Sequence, residues 1–117
     1  MAVNQRDVLL LNHSYDSNAP HPFIILSTGE ANQQENTFVA VMITSSTLTR
    51  DEYSFDLTDD MFEKPLDKNN CHARMHLITS SSNGCIIKPV NKMKPHAFRQ
   101  LMGNIGDLIF NYEFKPM

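Results

Sequence analysis

Short apolar runs separated by turn-forming residues make up the first three quarters of the chain. Residues 7–12 contain four consecutive aliphatic side chains, residues 23–26 are entirely apolar, and residues 37–44 are rich in β-branched side chains. Continuous apolar runs of this length are typical of buried strands, and we expect the third to be a central strand covered on both faces. Residues 53–58 and 71–78 alternate between apolar and polar side chains, which is the period of a strand with one wet face.

A last strand and one helix complete the pattern. Residues 85–87 predict the strand, and the nearby Pro89, which has no N–H to donate, predicts a sheet edge. Further on, apolar side chains recur at intervals of three and four, which predicts a helix that begins near Pro95. The residues of that stripe are Phe98, Leu101, Met102, Ile105, Leu108 and Ile109. Gly103 and Gly106 lower helix propensity by roughly 1 kcal/mol each, so we expect a kink or a close packing contact there.

Five or six short strands followed by one helix predict a mainly β fold. We expect a small, strongly twisted antiparallel sheet, closed or half closed into a barrel, with the helix covering an open edge or end. The length of 117 residues suits one domain that spans residues 1–117. The longest apolar stretch, residues 38–43, is far shorter than the roughly 20 residues needed to cross a bilayer, and the N-terminus lacks signal-peptide features. We therefore expect a cytoplasmic protein without membrane contact.

The charge is distributed unevenly along the chain. The net charge is −3, but residues 1–63 carry 2 basic and 10 acidic side chains, whereas residues 64–117 carry 8 basic and 3 acidic side chains. The basic half could gather on one face and attract phosphate, because local potential steers a polyanion. Alternatively, the two halves neutralise each other across one small fold.

The sequence predicts no metal, cofactor or disulfide. Only four glycines are present, and none has the spacing of a phosphate-binding loop. If His72 and His76 share a strand, their Cα atoms lie about 13 Å apart, which is too far for one metal ion. Cys71 is adjacent to His72, and Cys85 stands alone, so we expect two reduced, half-buried thiols.

The segment 71–78 carries the most chemistry. Its alternation would point Cys71, Ala73, Met75 and Leu77 into the core and would place His72, Arg74 and His76 together on the other face. Two imidazoles beside a permanent cation form a plausible site for proton transfer and phosphate stabilisation. The alternative is an ordinary solvated strand face.

The order of the motifs resembles the MazF/PemK family of toxin endoribonucleases over nearly the whole chain. The similarity is carried by Arg6-Asp7-Val8-Leu9-Leu10-Leu11, then His21-Pro22-Phe23-Ile24-Ile25-Leu26-Ser27, then Val39-Ala40-Val41-Met42-Ile43-Thr44-Ser45, then Pro65-Leu66-Asp67-Lys68-Asn69-Asn70 before a strand. The resemblance implies a Src-homology-three-like barrel, which the gyrase poison CcdB shares, and a twofold homodimer. It also implies metal-independent cleavage of single-stranded RNA through attack by the ribose 2′-hydroxyl, and inhibition by a cognate antitoxin.

The resemblance also suggests site residues. His21 precedes Pro22 where the family commonly has an arginine, and Thr44 matches the hydroxyl residue that faces the RNA phosphate. Arg74 and His76 match a family Arg-x-Asp pair, with His76 in the acidic position. The expected catalytic residues are therefore His21, Thr44, Arg74 and His76, and the expected RNA-binding residues are His13, Ser45, Ser46 and His72.

Two other functions remain open at this stage. A barrel of this kind could bind a peptide or nucleic acid without catalysis, since fold alone does not fix function, and the absence of the family arginine at His21 favours this alternative. A gyrase poison of the CcdB kind is the third hypothesis. The leading hypothesis is the toxin of a type II toxin-antitoxin system.

Overall fold

Six antiparallel strands form one sheet in the computed structural model, which describes residues 2–12 and 19–113. The strands are β1 (Asp7–Leu11), β2 (His21–Ile25), β3 (Thr37–Thr44), β4 (Ser54–Asp56), β5 (His72–Ser82) and β6 (Ile86–Lys92). Their spatial order is β4-β5-β3-β2-β1-β6. Two helices, α1 (Gly29–Asn32) and α2 (Pro95–Leu108), and 3₁₀ turns at Thr47–Thr49, Asp59–Met61 and Asn83–Cys85 complete the described elements.

The two edges of the sheet approach each other, which half closes a barrel. The chain that follows β4 reaches the end of β6, where Phe62 forms an isolated bridge with Met93. The Glu63 amide donates to the Lys92 carbonyl at 2.9 Å beside this bridge. The mainly β barrel with a C-terminal helix is therefore confirmed, and β6, which contains Pro89, is an edge strand as predicted.

Both faces of the sheet are apolar. On one face, residues of the central strands pack with the buried residues of α2, namely Ala97, Phe98, Leu101 and Ile105. On the other face a second cluster contains Val3, Leu9, Leu11, Phe23, Ile25, Phe38, Ala40 and Met42. Strand β3 contributes to both clusters, which confirms that it is a central strand. The apolar stripe of α2 packs on the first cluster, to which β1, β2, β3, β4 and β5 all contribute.

Several boundaries differ from the prediction. Helix α1 lies in a segment without apolar periodicity, and it is capped by Thr28, whose Oγ1 accepts from the Ala31 amide at 3.2 Å. Strand β5 continues through three serines to Ser82, because its backbone stays paired with β3 although the side chains are polar. Cys85 belongs to the turn before β6, and β6 extends beyond residue 87 to Lys92.

The glycines of α2 lie on an open surface. Helix α2 runs through both positions, and a Cβ added at Gly103 or Gly106 would meet nothing within 4 Å. The predicted close packing contact is therefore wrong, and within this chain the two glycines only weaken the helix. We expect Gly103→Ala to raise the free energy of unfolding by about 0.5–1 kcal/mol, measured by urea denaturation.

Gly29→Ala is the matched control. A Cβ there would lie 3.1 Å from Asn4 Oδ1, so no comparable gain is expected. A lower stability of Gly103→Ala would contradict the assignment of an open helix surface.

Candidate functional site

A row of polar side chains crosses four strands near one end of the sheet. Asp56 of β4 pairs with His72 of β5, and His72 pairs with Thr44 of β3. Continuing the β2–β3 register by two residues places His21 opposite Thr44. Opposed residues of antiparallel strands point to the same face with Cβ atoms about 4.5–5.5 Å apart. These four residues, called the polar row below, are therefore brought together by strand pairing although they are distant in sequence.

Residues 46–53, called the covering segment, lie over the neighbouring part of β5. Arg74 donates to the Thr49 carbonyl, to both Asp51 carboxylate oxygens at 2.9 and 3.2 Å, and to Ser54 Oγ at 3.1 Å. Thr49 Oγ1 lies 3.3 Å from His72 Nε2. His72 is 0% exposed and Arg74 is 6% exposed. The alternative of an ordinary solvated strand face is therefore wrong for both residues, because the covering segment lies above them.

Strand β5 bulges directly beyond Arg74. Val41 pairs with Ile78 and Ile43 pairs with Ala73, so two residues of β3 lie opposite a stretch of five residues of β5. The bulge breaks the alternation of side chains and leaves His76 exposed. The His76 ring lies 3.4 Å (Nε2) and 3.5 Å (Nδ1) from Arg74 Nη2, and its centroid is 5.4 Å from the Tyr53 ring. The bulge thus presents an accessible imidazole beside a buried guanidinium.

The bulge also changes the inward side of β5. Cys71, Ala73 and Met75 join the core cluster as predicted. Leu77 is only half-buried, so the expectation that it points into the core is wrong. The cause is the same break in pairing, after which the inward and outward positions no longer follow the period of two.

Arg50 is the functional candidate that sequence reasoning missed. Its Nη1 donates to Asp56 Oδ1 and its Nη2 donates to the Asn70 carbonyl at 2.8 Å. Burial lowers the pKa of His72 below its ordinary value, and the charges of Arg50 and Arg74 lower it further. No local pattern marks Arg50 or Asp56, because the pairing of β4 with β5 places Asp56 beside His72, and Arg50 reaches Asp56 from the covering segment.

The lowered pKa of His72 predicts a pH effect on stability. The unfolded chain binds a proton at His72 near its ordinary pKa of about 6.5, whereas the folded protein resists protonation. Stability from this group is therefore present above about pH 6.5 and is lost as the pH falls toward the lower folded pKa. We expect the free energy of unfolding of the wild type to fall more steeply between pH 7.5 and 5.5 than that of His72→Gln, measured by urea denaturation.

The control for this measurement is His96→Gln, since His96 is exposed on α2. It should keep the pH dependence of the wild type. If His72→Gln kept it too, burial of a neutral His72 would not contribute to the pH dependence.

The contact between Arg74 and Asp51 also changes the ionisation of Asp51. The hydrogen bond from Arg74 lowers the pKa of the Asp51 carboxyl, so Asp51 stays ionised at neutral pH. The covering segment is therefore held to β5 by a charged, bidentate contact, which is the more directional kind of hydrogen bond.

The hydroxyl residues expected at the site lie where β3 gives way to the covering segment. Thr44, Ser45 and Ser46 are each half-buried, and the Ser46 amide donates to Thr44 Oγ1 at 3.2 Å. His21 is also half-buried. His13 lies outside the described residues. Strand pairing sets Thr44 beside His72, and side-chain contacts join Arg74 to His76 further along β5. Ser45 and Ser46 follow Thr44 directly in the chain, and His21 lies on β2, the strand next to β3.

Ion pairs join the acidic and basic halves of the chain. Asp51 pairs with Arg74, and Asp7 pairs with Lys92 at 3.2 Å. These two contacts agree with the alternative in which the acidic residues 1–63 and the basic residues 64–117 neutralise each other across the fold.

Metal-ligating side chains and thiols are dispersed over the described part of the fold. Within residues 2–12 and 19–113, no three His, Cys, Asp or Glu residues lie close enough to hold a metal ion. Cys71 is buried and Cys85 is half-buried, and both are free thiols. No helix among the described residues has the length and apolar character needed to span a bilayer.

Solved structures resemble this chain closely in fold and only distantly in sequence. MazF from Deinococcus radiodurans superposes with a TM-score of 0.73 at 12% identity, covering 95% of this chain and 99% of that chain. The chain has the MazF fold. A MazE–MazF complex from the same organism gives a TM-score of 0.70 at 13% identity over 93% and 96% of the two chains. A mycobacterial endoribonuclease in complex with its cognate antitoxin gives 0.70 at 11% identity over 91% of each chain.

The sequence comparisons add nothing to this result. No protein-family model matches the chain, and no curated protein matches it at a significant level. The likeness to MazF therefore establishes the fold, and the function has to be argued from the residues of the site.

Proposed function

We propose that this protein is the toxin of a type II toxin-antitoxin system and cleaves single-stranded RNA without a metal ion. The observation that carries the proposal is the exposed His76 beside Arg74, next to the polar row, on a MazF fold. This arrangement offers a proton acceptor, a permanent cation and hydroxyl donors at one end of a sheet. A hydroxyl that attacks a neighbouring phosphodiester needs groups of these three kinds.

In this mechanism His76 removes the proton from the ribose 2′-hydroxyl. The O2′ atom then attacks phosphorus, the bond from phosphorus to O5′ breaks, and the leaving oxygen takes up a proton. The products are a 2′,3′-cyclic phosphate and a 5′-hydroxyl. Arg74 lies just below the surface beside His76, and it stabilises the phosphorane with the part of its charge that the bidentate contact with Asp51 leaves uncompensated.

The residues of the polar row have supporting roles in this proposal. Thr44 orients a phosphate oxygen together with Ser45 and Ser46. His21 contacts the phosphate from β2, and it is also the second candidate for the base. His72 is a positioning residue, because it is buried and holds Thr49 of the covering segment from below.

An RNA cleavage assay tests the proposal directly. Purified protein in EDTA should cut a single-stranded RNA and leave a cyclic phosphate on the upstream product. A matched RNA with one 2′-deoxynucleotide at the cut position should resist, because the attacking hydroxyl is missing. Retained cleavage of the deoxy substrate would exclude this mechanism, and complete absence of cleavage would leave a binding protein.

That second candidate is a non-catalytic barrel that binds RNA or a peptide. Two observations favour it. His21 stands where the MazF/PemK pattern has an arginine, and Arg74 already contacts Asp51 and Thr49. Tight binding of the deoxy substrate without cleavage of the normal substrate would support it.

We further propose an antitoxin partner, a homodimer and a cytoplasmic location. Two of the similar structures are complexes with an antitoxin, and an acidic, partly disordered antitoxin segment would suit a site that contains Arg50 and His76. The dimer is supported by apolar side chains that stay exposed at the end of α2 and just beyond it, namely Met102, Leu108, Phe110 and Tyr112.

A further inference from the structure

Arg50 is an accessible cation beside the polar row, where it contacts Asp56. Its side chain is 33% exposed, whereas Arg74 is buried beneath the covering segment. One side of its guanidinium is fixed by the Asn70 carbonyl, and the other side faces the carboxylate of Asp56. The partner Asp56 is 74% exposed. An ion pair between such exposed groups contributes little to stability, so an incoming anion can replace the carboxylate at small cost.

The geometry points to Arg50 as a phosphate-binding residue. In the RNA-free protein, the carboxylate of Asp56 occupies the position on the guanidinium that the phosphate would take. This inference rests on the proposed function, because it names the residue that contacts the RNA backbone at the same site. A guanidinium matches two phosphate oxygens with two parallel N–H groups, which is also how it binds a carboxylate. In the RNA-free protein Nη1 donates to Asp56 while Nη2 donates to the Asn70 carbonyl, so exchange of Asp56 for phosphate replaces the acceptor of Nη1 and leaves the Asn70 contact in place.

The position of Arg50 also fits the rest of the site. Asp56 and Thr44 flank His72 on the two neighbouring strands, so a phosphate on Arg50 lies at the β4 end of the polar row. His21 lies at the β2 end. The two ends are three strand spacings, roughly 14 Å, apart, so Arg50 would bind a different phosphate of the RNA from the one near His21.

Binding of an uncleavable RNA measures this role without interference from catalysis. The probe is a single-stranded RNA with 2′-deoxynucleotides at all positions that wild-type protein cuts, titrated at several salt concentrations. We expect Arg50→Gln to bind about tenfold or more weakly. The slope of log K against log salt should become shallower by about 0.7, the value for one lost phosphate contact on a single strand.

Three variants complete the design. Asp56→Asn removes the competing carboxylate and should bind up to about fivefold more tightly than the wild type. Arg99→Gln removes the same charge from an exposed position on α2 and should leave the affinity and the slope unchanged. Arg50→Lys keeps the charge without the planar fork, so it should keep the slope and lose part of the affinity.

The outcomes test separately whether Arg50 binds RNA phosphate and whether the protein acts on RNA at all. Equal effects of Arg50→Gln and Arg99→Gln would overturn the role of Arg50 while wild-type cleavage still upheld the proposed function. Unchanged binding by Asp56→Asn would overturn the exchange with Asp56. If Arg50→Gln failed to fold, Arg50→Lys and Asp56→Asn would decide the matter, and failure of the wild type to bind RNA would reject both claims.

Discussion

Replacing His76 with glutamine is expected to lower the rate of RNA cleavage by about 10²- to 10⁴-fold, the usual loss when a general base is removed. His76 is exposed at the bulge of β5, so the substitution leaves the core intact. Glutamine keeps hydrogen-bonding capacity but cannot accept the 2′-hydroxyl proton. Single-turnover cleavage at saturating protein measures the chemical step, and binding of the deoxy substrate should stay close to that of the wild type.

His96→Gln is the matched control for this variant, because it changes an exposed histidine on α2 and should cleave normally. Full activity of His76→Gln together with inactive His21→Gln would transfer the role of the base to His21.

Replacing Arg74 with methionine is expected to lower cleavage by about 10²- to 10³-fold, the scale for losing one preorganised electrostatic group. Methionine retains the apolar stem but leaves the Thr49 carbonyl and the Asp51 carboxylate without their donor. Amide hydrogen exchange in residues 47–53 should therefore become faster in this variant. Single-turnover cleavage and exchange measured on the same sample separate loss of charge from loss of structure.

Arg74→Lys distinguishes these two contributions further. Lysine restores the charge but not the bidentate contact with Asp51, so part of the activity should return while exchange in the covering segment stays fast. Arg99→Met is the control for removing an exposed arginine. Wild-type cleavage by both Arg74 variants would show that Arg74 has no part in the reaction.

The strands and the helix could be predicted because their signal is local. The apolar run of residues 37–44 coincides with β3, and the period of α2 identified Leu101 and Ile105 as core residues. The short helix α1 was missed because four residues are too few for a period, and its start depends on the Thr28 cap. The extension of β5 through Ser82 was missed because backbone pairing with β3 outweighs the weak strand preference of serine.

The site was predicted less completely than the fold. The segment 71–78 and Thr44 were identified from alternation and from the resemblance to MazF/PemK, and strand pairing does place Thr44 opposite His72. Whether a side chain on the outer face is exposed depends on what lies above it. The covering segment buries His72 and Arg74, and no period within β5 contains that information.

By itself, the sequence determined that this chain is a mainly β barrel with a C-terminal helix, because apolar periodicity and turn residues act over a few positions. It also placed His72, Arg74 and His76 on one strand. Only the tertiary structure decided that His76 is the exposed member of the three, since a bulge and a loop from another part of the chain set their burial. Recruitment of Arg50 and Asp56 was likewise decided by the pairing of β4 with β5, a long-range register that local side-chain patterns do not encode.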